Sequence, residues 1–181
     1  MVATGLLNDV AYEQLSIKSK KAILGQFCFL TLALVIPTIT HRLGLSYLVA
    51  QPMHWMILFA GLTYGAISGL IIGASLPVVS FLISGMPVAA MLPLMIPELA
   101  AYGFVTGILK QKITSFGAAA VGLLAGRIVF LALFAMLGRL DVSAFEYVQK
   151  TWTPGLAAII IQIALLPILA GLYIQWIKDE K

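Results

Sequence analysis

The stretch PMHWMILFAGLTYGAISGLIIGASLPVVSFLISGMPVAAMLPLMIPELAAYG, residues 52–103, decides the fold. It is almost wholly apolar, yet it carries Gly61, Gly65, Gly69 and Gly73 at four-residue spacing and one carboxylate, Glu98. Small residues at that spacing let helix backbones approach closely in lipid. An ionisable group inside apolar sequence is costly and marks a functional candidate. The segment therefore predicts membrane helices that pack through glycine faces and bind a polar solute near Glu98.

Composition agrees. Of 181 residues, 61% are hydrophobic and 10% charged, against about 25% charged in soluble domains. Too little polar surface remains to cover a soluble globule, so the solvent is lipid. The net charge of +4 is spread along the chain and forms no nucleic-acid footprint. The single Cys28 excludes a disulfide framework and zinc-type spacing.

Working outward, residues 1–21 read as a cytoplasmic N-terminal segment, 22–177 as a six-helix membrane domain and 178–181 as a cytoplasmic tail. Leu6, Leu7, Val10 and Ala11 have the spacing of a surface helix, with a loosely ordered tail as the alternative. The first span is expected over 22–40, with His41 and Arg42 opening an outer loop that ends near Pro52. Met53–Ser84 contains no charge, and as one helix it would be ~48 Å long against a ~30 Å hydrocarbon core. It is therefore expected to fold into two spans with a glycine-assisted turn near Tyr64-Gly65, the second kinked at Pro77. Further spans are expected over 92–109, 116–137 and 154–177.

Charge supports this count. Six spans put Lys18, Lys20, Lys21, Lys110, Lys112, Lys178 and Lys181 on one side and Arg42, Arg139 and Lys150 on the other, seven against three. Treating 53–84 as one span gives five against five. The positive-inside rule selects six spans with both termini cytoplasmic.

Glu98, Arg127 and Gln162 fall inside predicted spans at comparable depth, and Tyr102 shares a helix face with Glu98. One reading is a solute pocket open to the outside, with Arg127 holding a carboxylate or phosphate and Glu98 accepting from an amine or hydroxyl. The other is a structural Glu98–Arg127 ion pair. His41 and His54 bracket the first outer loop as candidate lid residues, not a metal site. Trp152, Tyr47 and Trp55 can stack on a ring or form an aromatic belt. Tyr173 and Trp176 fit an inner belt. The glycine rows serve internal packing or a partner surface.

The chain has no HExxH, GxSxG or Walker-type motif, which argues against a zinc protease, a serine hydrolase and intrinsic ATP hydrolysis. No enzymatic activity and no cofactor is expected, nor is the inverted repeat of a secondary transporter evident. A solute-binding membrane protein without an energy source of its own suggests a partner that supplies one.

The run Pro52-Met53-His54-Trp55, then Gly61, Tyr64-Gly65, Gly69, Gly73 and Pro77, resembles the substrate-binding S components of energy-coupling factor (ECF) vitamin transporters. So do Ser80-Phe81-Leu82, Ser84-Gly85-Met86-Pro87 and Glu98-Leu99-Ala100-Ala101-Tyr102-Gly103. The likeness is to the riboflavin-transporter-like group and covers about residues 30–110; the rest matches in length and layout only. It implies six helices, capture of a vitamin or related micronutrient at the outer face, and uptake powered by an ECF module of one transmembrane T subunit and two cytoplasmic ATPases. It places the pocket in the first outer loop and the outer halves of the last three helices. It also implies docking through small residues of the first three helices, often an Ala-xxx-Ala motif. This chain lacks that motif and offers Gly25, Ala33, Gly65, Gly69 and Gly73 instead. The rival reading is a structural membrane protein of the rod-shape MreD type, with no small-molecule ligand. A membrane enzyme and a stand-alone transporter are further alternatives.

Overall fold

The computed structural model describes residues 14–16, 20–42, 52–137, 146, 149 and 153–179. Six α-helices account for most of them: α1 Lys20–Arg42, α2 Pro52–Tyr64, α3 Ala66–Ser84, α4 Leu92–Leu109, α5 Ser115–Met136 and α6 Leu156–Asp179. Among the described residues there is no strand. Four helices, α3 to α6, are long and apolar enough to cross a membrane. With 13 residues, α2 is shorter, about 20 Å at 1.5 Å per residue. In α1 the apolar run is Ile23–Val35. His41 and Arg42 belong to the last turn of α1 and do not open the loop as expected; helix ends commonly differ by a residue or two from a hydropathy boundary.

The chain reverses at Gly65. This residue has φ +91°, in the left-handed region that a Cβ disfavours. Both Gly61, before the turn, and Gly69, after it, face the backbone of Gly103, so α2 and α3 form a hairpin joined by one residue. The turn anticipated at Tyr64-Gly65 is present. At the far end of α3, Gly85 adopts φ +73° and its N–H donates to the Phe81 carbonyl, closing the helix. Thr114 caps α5 by accepting from the Gly117 N–H at 3.2 Å.

Successive helices alternate in direction. Along α3 and α4, Ala66 meets Gly107, Gly69 meets Gly103 and Gly73 meets Leu99, an antiparallel register. Along α4 and α5, Thr106 meets Gly122 and Tyr102 meets Gly126, again antiparallel. Leu15, near the start of the chain, clusters with Ile174 and Ile177, near its finish, and with Tyr64. Leu15 and the last turns of α6 thus lie at the same end of the bundle, called here the terminal end. The opposite end, called here the loop end, carries the last turns of α1, α3 and α5 and the first turns of α2, α4 and α6.

The central element is α4, wedged between the α2–α3 hairpin and α5. Around it, Ile57, Leu58, Leu62, Leu76, Leu99, Leu123 and Leu166 form the core. The outer surface of the bundle is apolar: Ile23, Phe27, Ile67, Ile71, Leu124, Ile128, Ile160 and Leu172 are all exposed. Tyr173, expected at an inner belt, turns inward. It packs on Phe29 and Phe59 and shares a 2.7 Å hydrogen bond with the Tyr64 hydroxyl. A phenol deep in an apolar bundle needs such a partner. Trp176 is exposed.

Candidate functional site

The glycines of α5 build the site. A side chain at Gly126 would overlap the Tyr102 ring, and one at Gly122 would overlap the Thr106 hydroxyl. Without side chains there, α5 closes onto α4, which brings Arg127 beside Glu98. Arg127 Nη1 lies 2.7 Å from Glu98 Oε1. The Tyr102 hydroxyl donates to the same oxygen at 2.7 Å. Glu98 and Tyr102 lie on successive turns of one face, so the second contact follows from their spacing. On α2, the His54 ring packs on Tyr102 with centroids 5.0 Å apart.

A carboxylate and a guanidinium in an apolar bundle must pair or face a polar cavity. Glu98 is buried, with 3% of its side chain exposed, whereas Arg127 keeps 17%. The guanidinium has five N–H donors in a planar fork, and the short contact to Glu98 involves one nitrogen. Its fork can therefore take a further acceptor. Gln162 on α6 is fully buried, and neither its amide oxygen nor its amide nitrogen has a hydrogen-bond partner. Leaving such a group unsatisfied costs about 1–3 kcal/mol.

By helical rise, Glu98 lies roughly 9 Å from the loop-end terminus of α4, Arg127 roughly 14 Å from that of α5 and Gln162 roughly 9 Å from that of α6. The structure thus brings Glu98, Arg127, Tyr102 and His54 together. Gln162 sits at similar depth but makes no hydrogen bond to them. Trp152 and the side chain of His41 lie outside the described residues.

The residues anticipated for partner docking are all engaged within the chain. Side chains at Gly69 and Gly73 would overlap the α4 backbone at Gly103 and Leu99. Gly65 abuts Gln14, with 2.8 Å between a would-be Cβ and Oε1. Gly25 makes room for the Tyr64 and Tyr173 hydroxyls. Ala33 is completely buried. The glycine faces of α1 and of the α2–α3 hairpin are thus occupied by α4, Gln14 and the tyrosine pair, because backbone contact in lipid rewards the nearest neighbour.

Sequence reasoning missed the continuation of the polar row. Glu98, Tyr102, Thr106 and Lys110 follow one another at four-residue spacing along α4 and its C-cap, and all four are buried. The same spacing that linked Tyr102 to Glu98 would have found the other two. Gln14 was also missed; nothing in its local sequence signals its contacts with the Gly61 and Gly107 carbonyls. Among the described residues no three metal-ligating side chains converge. No protein-family model, curated protein or solved structure matches the chain.

Proposed function

We propose that this protein binds a small polar solute in the membrane, between α4, α5 and α6 near the loop end, and serves as the substrate-specific subunit of an ECF-type importer. The observation that carries the reading is the buried, unpartnered amide of Gln162 at the depth of the Glu98–Arg127 pair. A solute that hydrogen-bonds Gln162 and the remaining guanidinium donors of Arg127 satisfies both. The cluster has no net formal charge, and transfer of a net charge into a low-dielectric site is costly. A neutral or zwitterionic solute, such as a flat uncharged vitamin, is therefore favoured over an acidic one.

The excess of lysines near the terminal end supports a cytoplasmic location for both termini and an outward-facing loop end. The ECF module, its T subunit and two ATPases rest on the sequence resemblance. The role is binding and delivery without chemical conversion of the solute. One observation favours a second reading: Glu98 and Arg127 already satisfy each other, as in a purely structural membrane protein of the MreD type.

Mass spectrometry of small molecules released from gently purified protein, followed by quenching of tryptophan fluorescence with a vitamin panel, separates the two. One retained vitamin with saturable, submicromolar binding supports the importer subunit. No retained molecule and no quenching from folded protein supports the structural reading.

A further inference from the structure

The end of α4 has an unusual hydrogen-bond account. A helix leaves its last four carbonyls without helical donors. Here the Thr106 carbonyl accepts from the Lys110 N–H, that of Ile108 from Gln111, and that of Leu109 from Lys112 and Ile113. The Gly107 carbonyl accepts instead from Gln14, whose Nε2 donates at 2.9 Å from a position 93 residues away in sequence. The same nitrogen donates to the Gly61 carbonyl at 3.2 Å, and Gln111 Nε2 donates to Gln14 Oε1 at 2.9 Å. The Leu15 N–H donates to the Thr63 carbonyl at 2.8 Å, and the Leu15 side chain is buried against Tyr64, Ile174 and Ile177. Gly65 leaves the space that the Gln14 amide fills.

We infer that Gln14 and Leu15 form a removable plug that seals the terminal end of the polar row on α4 from water. The row runs from the ion pair at Glu98 through Tyr102 and Thr106 past Gly107 to Lys110, and Thr106 is fully buried with an unpartnered hydroxyl. A would-be Cβ at Gly61 lies 3.3 Å from both the Thr106 Cβ and the Gly107 nitrogen, so the two residues whose carbonyls hold Gln14 both adjoin Thr106. Withdrawal breaks few bonds. The Gly61 carbonyl keeps its N–H donor from Gly65 at 3.1 Å, and water can replace Gln14 on the Gly107 carbonyl. Opening the plug and wetting the row are thus one event. This follows whether or not a solute binds near Glu98.

The test uses full-length protein in lipid nanodiscs, with Cys28→Ala as background and Thr106→Cys as reporter, labelled by a water-soluble maleimide. With Gln14 in place, labelling is slow. Gln14→Ala is expected to accelerate it at least tenfold, while Leu94→Cys, buried near the loop end with Phe130 and Phe134, stays slow. Gln111→Ala, a milder change at an exposed residue, should act in the same direction and keeps the test available should Gln14→Ala not fold. Unchanged Thr106→Cys labelling in folded plug variants overturns the inference. So does equal acceleration at Leu94→Cys, which would mean general loosening.

Discussion

Removing Arg127 should cost the protein more than removing the charge of Glu98. Glu98 Oε1 takes both the Arg127 contact and the Tyr102 hydrogen bond, and its side chain is 3% exposed. Arg127→Ala leaves that carboxylate in the interior with one neutral donor. Breaking a buried ion pair from one side typically costs about 3–5 kcal/mol. Glu98→Gln keeps an acceptor for Tyr102 and frees a guanidinium that is already partly exposed and can extend its long stem towards a polar boundary. That change should cost about 1.5–3 kcal/mol, the range for a hydrogen bond to a charged group. Combining Arg127→Ala with Glu98→Gln should recover part of the loss, with a coupling energy of about 1.5–3 kcal/mol, the upper half of what contacting residues show. Equilibrium unfolding in mixed micelles, titrated with denaturing detergent and followed by tryptophan emission, provides the four free energies of the cycle. A coupling below about 0.5 kcal/mol, the level of independent sites, would refute the claim that this pair holds α4 to α5.

Gln162→Leu removes an unpartnered buried amide at nearly constant volume and should stabilise the unliganded protein by about 1–2 kcal/mol. In the same variant, vitamin-dependent quenching should weaken at least tenfold; lost stability with unchanged quenching would show that the amide serves packing only. Gly69→Val drives a side chain into the Gly103 backbone, which cannot swing aside as a side chain can. The cost should reach or exceed the ~1–3 kcal/mol typical of overpacking, read as loss of folded yield. Gly171→Val meets nothing within 4 Å and should express normally, which makes it the matched control.

Hydropathy and length made the helices legible. The uncharged run 53–84 is too long for one crossing, and that arithmetic demanded a break somewhere within it, which Gly65 provides. Glu98, Arg127 and Tyr102 were legible because ionisable groups in lipid need partners, and the helical period puts two of them on one face. What stayed hidden depended on distant contacts. Gly69 and Gly73 look the same in sequence whether their neighbour is α4 or another protein. Tyr173 has the composition of a belt residue, and only its bond to Tyr64, 109 positions away, turns it inward. Gln14 is a polar residue in a polar segment, and its half-buried position follows from the carbonyls of Gly61 and Gly107 that the fold brings beneath it.

The glycine rows and the polar row solve one packing problem. A helix bearing a carboxylate, a phenol, a hydroxyl and an ammonium at four-residue spacing cannot present that face to hydrocarbon. It must be enclosed, and enclosure in lipid gains little from apolar area, because the tails are as apolar as leucine. Close backbone approach is the available source of attraction. Accordingly, α3 presents Gly69 and Gly73 to one side of α4, against Gly103 and Leu99. On the other side, α5 presents Gly122 and Gly126, against Thr106 and Tyr102. The polar row lies on the α5 side, where Arg127 follows Gly126 directly and so arrives beside Glu98. A bulkier residue at Gly126 would push α5 outward and withdraw the guanidinium from the carboxylate. The same small side chain therefore sets both the helix spacing and the charge pairing at the candidate site.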